Sequence, residues 1–95
     1  MVLVWTPRAR RAREEVIDYI AEDNPVAALG QLDEIERQTD MLIQHPEMGR
    51  PGRVDGTREL VVSRTPFIVV YRVKPLAGRI ELISFLHGAQ QWPKK

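Results

Sequence analysis

The sequence predicts an α+β fold, a helical hairpin packed against an antiparallel sheet in the order β-α-α-β-β-β. Three observations point to it. Two stretches of the first half place apolar residues at three- and four-residue steps, each stretch opens on a capping residue followed by proline, and the last third holds β-rich runs separated by turn residues. A chain of 95 residues has the size of one domain with a modest core. No repeat, low-complexity tract or linker divides it, so residues 1–95 are expected to form a single domain.

Val2 to Trp5 reads as a short apolar strand stopped by Thr6-Pro7. There threonine caps a helix and proline occupies a first-turn position whose N–H needs no partner. The helix that follows should run to about Glu22, with Ala9, Ala12, Val16 and Ile20 facing inward and Tyr19 at the margin. Arg8, Arg10, Arg11 and Arg13 surround that stripe, and the spacing of Arg10 with Glu14 and of Arg11 with Glu15 suits ion pairs on a solvated face. Asn24-Pro25 repeats the cap-then-proline signal, and Ala28, Leu32, Ile35, Thr39, Leu42 and Ile43 continue an inward stripe to His45-Pro46. Pro46 to Gly56, rich in glycine, proline and arginine and without periodicity, is expected to be a surface loop. Asp55-Gly56 provides a turn into a strand from Thr57 to Ser63. The continuous apolar content of Phe67 to Val73 predicts a central strand covered on both faces. Lys74-Pro75-Leu76-Ala77-Gly78 reverses the chain, and Ile80, Leu82 and Leu86 recur at even spacing along the last strand.

Composition excludes several classes of chemistry. A net charge of +1 with a pI near 8.2 does not by itself indicate nucleic-acid binding. With no cysteine there is no disulfide, thiol nucleophile or thiolate zinc site, and two histidines make a poor metal site, so neither metal nor cofactor is expected. No uninterrupted apolar run exceeds the length of Phe67 to Tyr71, which is far below a membrane span, and the N-terminus lacks a basic segment leading into a long apolar core. A cytoplasmic protein without membrane contact is the expectation.

The element order and length, the Gly49-Arg50-Pro51-Gly52-Arg53-Val54 loop, Gly56-Thr57-Arg58-Glu59-Leu60, the strand Val69-Val70-Tyr71-Arg72-Val73 and the Leu86-His87 ending resemble the RelE/ParE superfamily of bacterial toxins over nearly the whole chain. The terminus from Leu86-His87-Gly88 through Trp92-Pro93 is more similar to the ParE branch. The resemblance implies the toxin of a type II toxin–antitoxin system, a growth inhibitor that binds DNA gyrase and is neutralised by a cognate antitoxin. It also implies the RelE-like alternative of a ribosome-dependent mRNA endonuclease, and a third reading is a noncatalytic interaction module on the same fold.

Metal-free RNA cleavage needs a proton acceptor, a cation at the phosphate and a proton donor. Arg58, Arg72 and His87 are the candidates for that chemistry, with Glu59 and Tyr71 as further proton-transfer groups. The resemblance also implies an arginine three positions before the central-strand tyrosine in the RNA-cleaving branch. The matching position is Ile68, and losing such a contact costs about a thousandfold in rate. Each candidate has a structural reading as well: Arg58 shares strand parity with Leu60 and Val62 and could reach inward to carbonyls or carboxylates, Tyr71 could serve the core, and His87 could be a packed edge residue. For a gyrase-binding toxin, the contact residues are expected among Arg79, His87, Gln90, Gln91 and Trp92, where polar groups accompany an aromatic anchor. Leu29, Met41 and Met48 are candidates for antitoxin contact, outside or at the margin of the inward stripe. A homodimer or a toxin–antitoxin hetero-oligomer would suit either surface.

Overall fold

The computed structural model describes residues 1–88. Strand β1 (Val2–Trp5) leads into helix α1 (Pro7–Asp23), where the Thr6 hydroxyl accepts a 3.2 Å hydrogen bond from the Ala9 N–H and Pro7 fills the first turn. Asn24 then serves two helices. Its N–H donates to the Ile20 carbonyl at 2.9 Å, ending α1, while its Oδ1 accepts from the Ala27 N–H at 3.1 Å, opening α2 (Pro25–Asp40). One linking residue leaves the helices no option but a tight hairpin.

After Asp40 the chain tightens into a 3-10 turn, Met41–Ile43. Three residues per turn keep Leu42 buried and rotate Ile43 off the inward stripe, contrary to the sequence expectation. Tyr19, expected at the margin of α1, is also exposed, and Ile17 takes the place beside Val16 and Ile20 against the core.

The sheet is completed by β2 (Arg50–Pro51), β3 (Arg58–Val61), β4 (Phe67–Lys74) and β5 (Arg79–His87), in the spatial order β1-β5-β4-β3-β2. Pairings β2–β3, β3–β4 and β4–β5 are antiparallel, but β1 runs parallel to β5, from Val2 beside Arg79 to Trp5 beside Leu82. The sheet is therefore mixed and not wholly antiparallel: no hairpin turn dictates the direction of β1, which reaches its neighbour through a long crossover. The expected surface loop from Pro46 to Gly56 contains β2, too short for a periodic signal.

Between the helices and the sheet lies the main core, in which Ile35 and Leu42 meet Leu60, Val62, Phe67, Val69, Tyr71, Ile80, Leu82 and Phe85. Complete burial of one such aliphatic or aromatic side chain contributes about 1.5 to 3 kcal/mol. The other face of β4 is buried too, as its unbroken apolar run required: Ile68 and Val70 join Leu86 in a second cluster. Leu86 departs from the even-spacing expectation because a bulge opposite Val70 and Tyr71 shifts the parity of β5, moving it to the face away from Ile80 and Leu82.

Within α2, Gly30 has no atom within 4 Å of where a β-carbon would stand. Neither turn nor close approach requires glycine there, so Gly30→Ala should stabilise the domain by about 1 kcal/mol through helix propensity. Thermal melting of the variant checks this, with a rise of several degrees expected for a chain of this size.

Candidate functional site

The helix-side end of β3 and β4 clamps the loop that precedes β2. Tyr71 is fully buried; its hydroxyl donates to the Pro46 carbonyl at 2.7 Å and accepts from the Gly49 N–H at 2.9 Å. Beside it, Arg58 donates to the Gly49 carbonyl at 2.8 Å and to the Glu47 carbonyl at 3.4 Å. Burial pushes the Tyr71 hydroxyl above its ordinary pKa of 10.0, outweighing the Gly49 hydrogen bond and the Arg58 charge that pull it down. A β-carbon on Gly49 would lie 2.6 Å from the Tyr71 ring and 2.9 Å from the Glu59 carbonyl, so only glycine fits this approach. On the opposite face of β3, Glu59 is 1% exposed and receives Arg50 at 3.1 Å and both the Nε and the main-chain N–H of Arg53 at 3.2 Å. The loop is thus pinned from both faces of the sheet.

The candidates for RNA cleavage do not converge. Arg58 sits opposite Tyr71 and His87 opposite Phe67, a separation of about 14 Å along β4. Arg72 lies opposite Glu81, about 17 Å along the same strand from the His87 level. Arg58 and Tyr71 are engaged with loop main chain, which is the structural reading of both. Ile68 belongs to the cluster on the other face of the sheet from Tyr71. His87, at the end of β5, meets the Phe67 ring edge-on at a centroid distance of 6.3 Å.

The expected target-binding residues are divided as well. Arg79 opens β5 and His87 closes it, placing them about 25 Å apart. The Arg79 guanidinium donates to Glu81 at 2.8 Å. Gln90, Gln91 and Trp92 lie outside the described residues.

Of the residues expected to meet an antitoxin, Met41 and Met48 come together. Both line a groove of about 420 Å³ between the end of α2, the start of β2 and the edge of β3. Leu29 is 63% exposed but lies about 18 Å along the helix from Met41, away from the groove. Arginines rim this groove: Arg37 and Arg50 line it, Arg37 meeting Glu34 at 2.6 Å. The Arg37 and Gln38 hydrogen bonds hold Glu34 below its ordinary carboxylate pKa. Among the described residues no group of three or more His, Cys, Asp or Glu could hold a metal, and no helix is long and apolar enough to cross a membrane.

Against this geometry, the family model for the ParE toxin of the type II toxin-antitoxin system, parDE, matches residues 3–92. The chain belongs to the RelE/ParE family of type II toxins. Y4kP of Sinorhizobium fredii is 40% identical over 90 residues, covering 95% of this chain and 91% of its own length. Toxin RelE2 of Caulobacter vibrioides is 32% identical over 88 residues, covering 93% and 96%. Among solved structures, a chain of the chromosomal ParDE system from P. aeruginosa superposes with a TM-score of 0.80 at 29% identity, over 92% of this chain and 95% of that one. The toxin's α+β architecture is the one shared by that relative, and membership of a toxin–antitoxin system implies an antitoxin partner.

Some of the toxin's organising contacts carry no periodic signal in its sequence. Arg13 lies over the Trp5 ring, 4.4 Å from its centroid, while no ion pair joins Arg10 to Glu14 or Arg11 to Glu15 among the described residues. Exposed pairs gain little over hydrated side chains, so their spacing is a weak signal. Gln38 was hidden on a helix of mixed polarity: its amide binds the main chain of Ser63 in both directions, donating to the carbonyl at 3.0 Å and accepting from the N–H at 2.8 Å. A glutamine one position before the inward Thr39 gives no periodic cue for such a contact.

Proposed function

We propose that this toxin inhibits growth in the ParE manner, by binding DNA gyrase, and that its target surface lies at the His87 end of β5 and continues through Gln90, Gln91 and Trp92. The observation that carries the reading is the dispersal of the RNA-cleavage candidates. Arg58 is held by carbonyls, the raised pKa of Tyr71 opposes proton release, and His87 stands far along the sheet from both. A reaction centre needs its groups within hydrogen-bond reach of the reacting atoms, and this arrangement offers a rigid platform in its place. Arg79, paired with Glu81 at the opposite end of the strand, serves as a comparison position and not as part of the surface.

Induced expression with parallel assays of gyrase supercoiling and of RNA in programmed ribosomes tests the proposal. Supercoiling should fall while no new RNA fragments appear. Trp92→Ala should weaken gyrase inhibition strongly at little cost in melting temperature, and Arg79→Ala should leave inhibition unchanged. RNA cleavage that disappears in a folded His87→Ala variant would overturn the reading.

A further inference from the structure

The groove beside β3 contains an unfinished rung of the sheet. Val62 donates to the Phe67 carbonyl at 3.0 Å, so in an antiparallel ladder Arg58, Leu60 and Val62 direct their main chain toward β4. Glu59, Val61 and Ser63 direct theirs the other way. Glu59 there faces Arg50 of β2, and Ser63 is paired with the Gln38 amide, which stands in for one residue of a strand. Between them Val61 opens its N–H and carbonyl to the groove, and among the described residues no hydrogen bond reaches its main chain from that side. Its side chain is 49% exposed on the face it shares with Glu59 and Ile68, while Met41 and Met48, 41% and 40% exposed, line the same groove.

The charge around this rung is unbalanced. Glu34 is shared by Arg37 and Arg64, and Glu59 by Arg50 and Arg53, so each buried or half-buried carboxylate is outnumbered by arginines that are 40% to 77% exposed. One net positive charge remains on either side of Val61. Arg64 also occupies the left-handed region at φ 68, where glycine or asparagine would be less strained. The turn thus carries arginine at a conformational cost, and its side chain is the most exposed of the four.

We infer that this groove receives an extended, acidic segment of the antitoxin, one residue of which completes the rung at Val61 while an apolar neighbour along the segment, turned to the helix side of the sheet, meets Met41 and Met48. The inference rests on the antitoxin partnership and adds the place and chemistry of contact. A helical segment would not suit the site, because its main-chain groups are already bonded and could not pair with Val61. A second copy of β3 would not suit it either: the open stretch is one residue long, and a copy paired about Val61 would run into β2 on one side and Gln38 on the other. A flexible segment with acidic residues flanking an apolar one meets all three demands, and arginines at the rim speed its approach.

The probe is the purified cognate antitoxin, sought as the product of a short reading frame adjoining this chain's gene. Hydrogen exchange on the wild-type pair gives the direct readout: the Val61 amide should exchange readily in the free toxin and slow in the complex. Arg64→Gly relieves the left-handed strain while removing a charge, so it should keep or raise the melting temperature yet weaken binding severalfold, with a shallower salt dependence. Val61→Pro removes the open N–H at a sheet-edge position that tolerates proline, and should weaken binding about tenfold. If the wild-type chain binds no such product, the partnership itself fails. If the complex forms with Val61 exchange unaltered and with both variants at wild-type affinity, the site is wrong while the partnership stands.

Discussion

Tyr71→Phe is expected to cost this domain roughly 3 kcal/mol, because removal of one hydroxyl strands a buried N–H on Gly49 and deprives the Pro46 carbonyl of its donor. The ring itself is retained, so the loss reports the hydrogen bonds and not a cavity. For a chain of this length the melting temperature should fall by about 12 to 24 °C. A distinct pH signature accompanies it. Because the folded-state pKa of Tyr71 is raised, its contribution is present below the unfolded value near 10 and is lost as pH rises through the folded value. The phenylalanine variant should therefore have a flatter alkaline limb, measured by chemical denaturation between pH 8 and about 11. An unchanged melting temperature would show that the loop before β2 is not held by this clamp.

Glu59→Ala should remove about 2 kcal/mol and loosen the same loop from the opposite face. The carboxylate holds the Arg50 guanidinium and both nitrogens that Arg53 directs at it. Its loss would be larger if the arginines were buried, since each would then be left as an uncompensated charge. Here their 54% and 40% exposure lets them return to water. The readout is limited tryptic proteolysis after Arg53, since Pro51 protects the Arg50 bond, together with thermal melting: faster cleavage there than elsewhere, with a moderate stability loss, is the expected pair of results. Cleavage at the wild-type rate would remove Glu59 from its pinning role.

Most of the architecture was legible because it is written in short-range chemistry. Thr6-Pro7 and Asn24-Pro25 mark the two helix starts, and the apolar run at Phe67 marks the strand buried on both faces. What escaped were features set by distant partners. The parallel pairing of β1 depends on where the last strand lies, and the parity of Leu86 depends on a bulge that periodicity alone cannot register. For the site, Arg58 was legible from its strand parity as an inward-reaching arginine, with carbonyls and carboxylates both open as its partners, and Met41 with Met48 from their place at the margin of the core. The separation of Arg79 from His87 follows simply from strand length, nine residues from one to the other. Gln38 and Arg64 gave no cue, since a strand surrogate and a left-handed turn are properties of the assembled backbone.

The parallel pairing of β1 with β5 also sets a clock. The first strand of the sheet to be made has its neighbour in the last, with Val2 beside Arg79. At ordinary rates of synthesis, roughly 4 to 15 s separate the making of the two. During that interval the helical hairpin can form locally, but one side of the future sheet has nothing to pair with. Closure of the sheet is thereby held back until β5 has been made. An antitoxin already present in the cell would meet a molecule whose sheet closes late, and capture could begin before a finished toxin is free to act.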